Sequence, residues 1–499
     1  AFYYNGYYHL FYQSNPNAPY WARIRWSQCV STDIVHWEYV KEAVVPTRGI
    51  CPDGVWTGGA VIGPDGTPWL VITAGTTTTS YSGQNIAFAH CVDPTDPYLT
   101  EWVVEDTVAI MQEPGMGEQN QFRDPFIWKD DGVYYMMIGS GYDGTSGGAL
   151  MYTSEDMRDW EYHGYVFQST AEEAGIHWEC IQLLPISTRD GSMQKYVFFL
   201  TPQYAEESRT VECYYWIGTF DKASKRFVPD AGYEAPRLLD YGYGIFTGQT
   251  GFSYLTEEDA TAGKTYEQGR TILFAIAQGK EPGTTHNYYS GWAHNASLPM
   301  ELYLSDDGTS IAMEPIEELH TLRTQTVYAS ETAMTAEEAN AAIGQLRGDS
   351  FEIRMKLSLS ETAETYSAGL YVRFNPYTDS LNQTERTGIV FGSNGVYIDR
   401  SQTSLYVMGL GNSHVWDNTA GEFDVAVYMD RSMLEVYVNG TVSFTSRMYP
   451  KYEDSDYLRF FAEGCTLTVS DLTIYTLGSA YSDTVTPAYY GNTGSIQNA

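Results

Sequence analysis

The apolar positions of this chain gather in short β-rich runs, each opened by a turn dipeptide, and the combination recurs five times. Asn5-Gly6 precedes YYHLFYQ, Asp65-Gly66 precedes TPWLVITAG, Asp131-Gly132 precedes VYYMMIGSG, Asp190-Gly191 precedes SMQKYVFFL, and Gln268-Gly269 precedes RTILFAIAQ. The glycines lie 60, 66, 59 and 78 residues apart. In the first four copies Asn-Gly or Asp-Gly supplies the positive φ of a tight hairpin, and the branched and aromatic residues that follow suit a buried strand. A second landmark keeps phase with the first: Asp33…Trp37, Asp96…Trp102, Asp156…Trp160, Asp221…Phe227 and Asp306…Ile311. A unit of about 60 to 80 residues with several short strands has the size of a four-stranded propeller blade with long loops. Five units predict a five-bladed β-propeller over residues 1–324, although a large β-sandwich with regularly spaced hairpins leaves a similar trace. In a propeller the innermost strands face one funnel, so polar residues at matching blade positions converge there.

Beyond Leu322-Arg323 the pattern changes. Residues 331–346, ETAMTAEEANAAIGQL, read as an Ala-rich and Glu-rich helix within a helical linker spanning 325–347. From about Asp349 to Leu477 alternation returns in FEIRMKLSL, AGLYVRF, GIVFG, GVYIDR, FDVAVYMDR, LEVYVNG and LTVSDLTIY, which predicts a β-sandwich over 348–477. Residues 478–499 are polar and without period, the pattern of a tail or linker. The expected class is all-β, a five-bladed β-propeller followed by a C-terminal β-sandwich.

Charge narrows the partners. Lys and Arg number 28 against 63 Asp and Glu, a net charge of −35, and such a surface repels nucleic acid and anionic membrane. No apolar run approaches the roughly 18 residues needed to span a bilayer. Aromatic residues reach 15%, which suits β-structure and sugar-stacking surfaces. The six cysteines, Cys29, Cys51, Cys91, Cys180, Cys213 and Cys465, show no CxxC spacing and fit either buried thiols or one or two disulfides. The nine His form no HExxH or paired spacing, and Asp306-Asp307-Gly308 is too short for a calcium loop, so no metal and no cofactor are expected. Three glycosylation sequons begin at Asn295, Asn382 and Asn439, and the last is also a hairpin turn.

Candidate chemistry lies upstream of each turn glycine. Trp56 precedes Gly66 by 10 residues, Asp124 precedes Gly132 by 8, and Glu179 precedes Gly191 by 12. Blades three and four thus each offer a carboxyl, in Arg123-Asp124-Pro125 and Trp178-Glu179-Cys180. An acid between an aromatic ring and a thiol is expected to be poorly solvated and to hold a proton near neutrality, while Asp124 beside Arg123 should stay ionised. Two carboxyls pushed apart in this way are what glycoside hydrolysis uses. Taken singly, each also fits a salt bridge or a strand cap. The matching position of blade one falls before Ala1.

These residues carry a resemblance. FYYNGYYHLFYQSNPNAPYW, continuing to VSTDIVHWEYVKEAVVP, resembles the N-terminal region of glycoside hydrolase family 32, the invertase, inulinase and levanase group. DGVWTGGAVIGPDGTP is similar to that family's tryptophan-serine-glycine segment, FRDPFIW to its arginine-aspartate-proline motif, and Trp178-Glu179-Cys180 to its glutamate-cysteine motif. YYWIGTFD, GWAHNASLPMEL followed by ELHTLR, and DRSMLEVYVNG with SRMYP continue the series over about residues 1–475. The resemblance implies a retaining glycoside hydrolase, extracellular or at the cell surface, that releases fructose from sucrose, inulin or levan. It makes Glu179 the general acid and later the base, and Asp124 the stabiliser of an oxocarbenium-like transition state. Gln13, Trp21, Trp56, Thr57 (serine in the family) and Arg123 would line the fructosyl pocket. Core packing for the two tryptophans and backbone bonding for Gln13 are the alternatives.

The family's nucleophile is an aspartate in an asparagine-aspartate-proline-asparagine motif just ahead of the segment that opens this chain, and residues 1–499 do not include it. Covalent catalysis needs that carboxylate about 5 to 5.5 Å from the acid, so the chain as it stands is expected to bind fructosyl groups with little or no turnover. A start inside a strand points to clipping a few residues too late, with a signal peptide as a candidate for the missing start; natural truncation is the alternative. Trp26-Ser27-Gln28 replaces the family's Trp-Gly-His, Ile181-Gln182 replaces Pro-Asp, and Gly244 stands where aspartate is common. These departures are expected to alter the pocket rim and acceptor side. His177 reads as an exposed or core histidine and Thr76 to Thr79 as a blade loop. A fructosyltransferase on the same residues, or a fructan-binding module descended from a hydrolase, are the competing functions.

Overall fold

The structure, a computed structural model, describes every residue except 20, 77–80, 207–209, 243, 257–258, 260, 279–288, 290, 378–383, 404–420 and 482–499. Most of the expected tail, Thr77 to Thr79 and the Asn382 sequon therefore lie outside the described residues.

Five antiparallel four-stranded blades follow in chain order. Blade one holds Phe2–Tyr4, Tyr7–Ser14, Arg25–Ser31 and Glu38–Val44; blade two holds Gly54–Ile62, Pro68–Gly75, Gln84–Cys91 and Trp102–Val104. Blade three consists of Arg123–Asp130, Val133–Tyr142, Ser146–Ser154 and Glu161–Ser169, and blade four of His177–Ser187, Gln194–Gln203, Tyr214–Asp221 and Arg226–Pro229. Phe246–Tyr254, Arg270–Ala277, Met300–Leu304 and Ile311–Pro315 complete blade five.

Turn chemistry sets these hairpins. Asn5 and Gly6 (φ 48° and 86°), like Asp131 and Gly132 (47° and 82°), place both central residues at positive φ, which matches the right-handed twist of the flanking strands. In the fifth copy a 3-10 turn at Tyr266–Gln268 takes the hairpin's place. The second landmark also has a physical basis. Asp33 Oδ1 accepts the Val35 and His36 N–H groups while Trp37 Nε1 donates to Ile34 O; Asp156 and Trp160 repeat the arrangement in blade three with Arg158, Asp159 and Met157.

Blades three and four, with the short strand Arg237–Leu238 paired to Tyr214–Asp221, join into one nine-stranded sheet through the pair Gly141 and His177. A Cβ on Gly139 would lie 2.3 Å from the Trp178 carbonyl oxygen, and one on Gly141 would lie 2.4 Å from the His177 ring. Absent side chains at these two positions thus bring the inner strand of blade four against blade three. Trp178 is fully buried among Phe167, Phe198 and Trp216, with ring centroids 5.5 to 5.7 Å away, and this apolar packing fixes the strand that carries Glu179.

Among the described residues the sandwich has a seven-stranded and a four-stranded sheet. The former includes Arg323–Ser330, paired with Thr466–Leu477, so part of the segment expected as a linker is a strand. The helix is Ala336–Ile343, shorter than expected, because Thr335 and Glu338 form a capping box that fixes its start. Ala339 and Ile343 pack into the sandwich core. All six cysteines are free thiols. Among the described residues no helix is long and apolar enough to cross a membrane.

Buried polar groups tie the sandwich to the propeller. Asp240 accepts Ser443 Oγ at 2.7 Å and both the N–H and Oγ1 of Thr445 at 2.9 Å. Arg447 donates to the Ala277 and Gln278 carbonyls of blade five (2.6 and 3.0 Å). Glu435 accepts the Leu298 N–H at 2.9 Å, and the Tyr437 hydroxyl donates to its other oxygen. Burial pushes the Glu435 carboxyl up to about 7, against the two hydrogen bonds and the Arg447 charge, with Asp240 raising it further. A folded-state value above the unfolded one favours the protonated form, so this stabilisation is complete below pH 4.5 and is lost as pH rises through about 7. The loss is of the order of about 3 kcal/mol. Glu435→Gln is therefore expected to match the parent in thermal stability near pH 4 and to exceed it by several degrees at pH 8. A gap independent of pH would contradict this.

Candidate active site

The inner strands of blades two to five share one irregularity. Each carries a break in register within a few residues of its start, after Trp56, Arg123, Glu179 and Thr247. In three of them the break holds a left-handed residue: Asp124 (φ 58°), Cys180 (φ 49°) and Gly248 (φ 56°). A bulge re-aims the side chains beside it, and a non-glycine residue in this region costs about 1–3 kcal/mol that surrounding bonds must offset. Those bonds are present. The Asp124 N–H donates to Thr73 Oγ1 at 2.8 Å, and Asp124 Oδ2 accepts the Cys180 N–H at 2.8 Å. Two bulges of neighbouring blades thereby hold each other, and Asp124 is brought beside the strand that bears Glu179.

The remaining candidates join the same cluster. Gln13 Nε2 donates to Thr57 Oγ1 at 2.5 Å, and Trp21 Nε1 donates to Gln13 Oε1 at 3.3 Å. The Trp21 and Trp56 rings lie 5.4 Å apart, and Trp21 is 63% exposed, so it is no core residue. Trp26 Nε1 holds the Trp56 carbonyl at 3.1 Å, and Thr73 Oγ1 donates to Thr57 O at 2.7 Å. Arg123 Nε donates to Glu179 Oε1 at 3.0 Å. Gln13, Trp21, Trp56, Thr57, Arg123, Asp124 and Glu179 thus form one connected set drawn from blades one to four. A cavity of about 460 Å³ opens beside it, with Trp56, Gln84 and Asn120 in its wall; the two carboxyls belong to the cluster and do not line this cavity.

The environments of the two carboxyls are the reverse of those expected. Strand alternation sends Trp178 to the blade core, so it leaves Glu179 free to face Arg123, with 29% of its side chain exposed. Asp124 is the buried member, 6% exposed. Burial, helped by the neighbouring Glu179 charge, pushes its carboxyl up to about 6, against the pull of Arg123 and the Cys180 N–H. Arg123 therefore pairs with the acid of the next blade and not with its own sequence neighbour.

Other expectations change as well. Gln28 is buried and donates to Tyr98 O at 2.7 Å, and Gln182 accepts the Gly251 N–H at 2.7 Å and so ties blade four to blade five; both brace blades and do not form a pocket rim. Gly244 has φ 70°, and a Cβ there would lie 2.1 Å from Thr210 Cγ2. His177 is neither exposed nor an apolar-core residue: its Nε2 lies 3.0 Å from Glu118 Oε1. Sequence reasoning missed Thr73, Gln84, Gln121 and Glu118, which stand in no motif and whose chain spacing follows no repeat.

Comparison with known proteins follows from this geometry. Residues 1–315 match the glycosyl hydrolases family 32 N-terminal domain, and residues 318–476 match the glycosyl hydrolases family 32 C terminal domain. The chain is 30% identical over 399 residues to a beta-fructofuranosidase, insoluble isoenzyme 1, of Oryza sativa subsp. indica, a match covering 78% of this chain and 66% of that protein, just under two thirds of its length. It is 27% identical to a bifunctional 6(G)-fructosyltransferase/2,1-fructan:2,1-fructan 1-fructosyltransferase of Allium cepa, covering 96% of this chain and 85% of the relative. The fold matches that of fructan 1-exohydrolase IIa from Cichorium intybus in complex with 1-kestose, with a TM-score of 0.79, 20% identity, and coverage of 96% of this chain and 94% of the other.

Proposed function

Because the chain belongs to glycosyl hydrolase family 32, we propose that it is the scaffold of a retaining β-fructosidase in which Glu179 and Asp124 flank one furanose ring. Glu179, reachable from solvent, gives its proton to the glycosidic oxygen as the bond to the fructosyl carbon breaks. Asp124 accepts hydrogen bonds from fructose hydroxyls, and its charge stabilises the oxocarbenium character that develops on the ring. A carboxylate nucleophile takes the fructosyl group, and the Glu179 carboxylate then removes a proton from the water that releases it. Arg123 holds Glu179, while the exposed Trp21 and its neighbour Trp56 offer apolar faces to the sugar.

The observation that carries this reading is the pair of interlocked bulges, which brings an Arg-bound acid and a buried carboxyl from successive blades into one cluster. Residues 1–499 contain no match to the family's nucleophile motif, and activity is measured on the full-length protein. Release of free fructose from sucrose, inulin or levan supports the proposal; binding without cleavage would reduce it to a fructan-binding module. The similarity to the Allium cepa transferase over nearly the whole chain favours one second reading, transfer of the fructosyl group to a sugar. The ratio of free fructose to new oligosaccharide at high sucrose separates the two.

A further inference from the structure

Arg123 reaches Glu179 with Nε, which leaves its Nη1 end to be held elsewhere. That end meets two amides: Gln84 Oε1 at 3.3 Å and Gln121 Oε1. Gln84 opens the third strand of blade two, and its backbone is fixed there by Ser82 Oγ and by pairing with Gly75. Its side chain crosses to blade three. Oε1 also accepts the Phe122 N–H at 2.9 Å, and Nε2 donates to Asn120 O at 2.6 Å. The segment it grips, residues 118–122, is pinned from the other side by Ser140, whose Oγ donates to Gln121 O at 2.6 Å and accepts the Glu118 N–H at 3.1 Å. One amide therefore fixes both the guanidinium and the backbone immediately before it.

We infer that Gln84 is the positioning residue that aims Arg123 at Glu179, and so sets the orientation of the proton donor through the guanidinium. A guanidinium is a planar fork, so an acceptor on one edge fixes the direction of the other edge. Without Gln84, Arg123 Nη1 keeps only the Gln121 acceptor, and the 118–122 segment loses two of its bonds to blade two. Misorienting a reacting group by about 1 Å costs up to about 10²-fold in rate. The inference rests on the proposed role of Glu179.

Gln84→Met conserves length and removes both the acceptor and the donor, and Gln84→Asn withdraws them; either folded variant serves. The crystal structure of the variant is expected to show the Arg123 Nε to Glu179 Oε1 bond broken; an unmoved pair overturns the inference whether or not the protein is active. With activity, kcat for fructose release is expected to fall about 10-fold to 10²-fold while KM changes less than threefold. A residue with a merely structural role would not show this split. In an Arg123→Lys background, the further effect of Gln84→Met is expected to shrink below twofold; a full, additive loss there would also overturn it. A parent protein that releases no fructose would refute the functional proposal, and the crystallographic comparison would still decide the positioning.

Discussion

Glu179→Gln is expected to lower kcat for fructose release on the order of 10³-fold while leaving KM within about threefold. The substitution conserves shape, and the Gln carbonyl oxygen can still accept Arg123 Nε, now 3.0 Å from Glu179 Oε1. What disappears is the transferable proton. The loss should consequently depend on the leaving group: a fructoside whose leaving group departs without protonation is expected to recover most of the first step, with deacylation then limiting. Comparable losses on both substrates would mean that Glu179 supports structure and does not donate a proton.

Asp124→Asn is expected to cost on the order of 10²-fold to 10³-fold in kcat, the range for removing one electrostatic contact to a transition state. Asparagine tolerates the left-handed conformation of this position (φ 58°) and keeps an oxygen for the Cys180 N–H, so the interlocked bulges survive. Stability should move the other way. Burial raises the Asp124 carboxyl to about 6, so its stabilising contribution is complete below pH 3.8 and is lost as pH rises through 6. Above that pH the neutral asparagine is expected to unfold at a higher temperature than the parent. A variant both inactive and less stable at pH 8 would show that Asp124 serves the fold, whereas stability gained with activity lost marks a group held at the fold's expense for function.

The sequence carried the blade count because turn chemistry is local: Asn5-Gly6 and Asp131-Gly132 demand their conformation whatever surrounds them. A similar interval from those turns, 8 to 12 residues, was enough to single out Asp124 and Glu179. It was not enough to assign their surroundings, because chain neighbours in a strand point to opposite faces. Trp178 therefore turns away from Glu179 into the blade core, and Arg123 spends its hydrogen bond on Glu179, leaving Asp124 only the pull of its charge. Gln84 was invisible for a different reason, since a glutamine at the start of a strand has no pattern until another blade arrives beside it. The seam between the domains is more remote still, with Asp240 and Ser443 separated by 203 residues. Arg323–Ser330 escaped notice because its Thr and Val run abuts a strong helical signal, and only its partner Thr466–Leu477 makes it a strand.

The most direct test of the account is the crystal structure of the full-length Glu179→Gln protein soaked with sucrose. The prediction is one fructosyl ring in contact with Trp56 and Arg123, its hydroxyls hydrogen-bonded to Asp124 and its glycosidic oxygen within about 3.2 Å of the residue 179 side chain. A sugar bound elsewhere on the blades, or a ring that reaches only one of the two carboxyl positions, would contradict it.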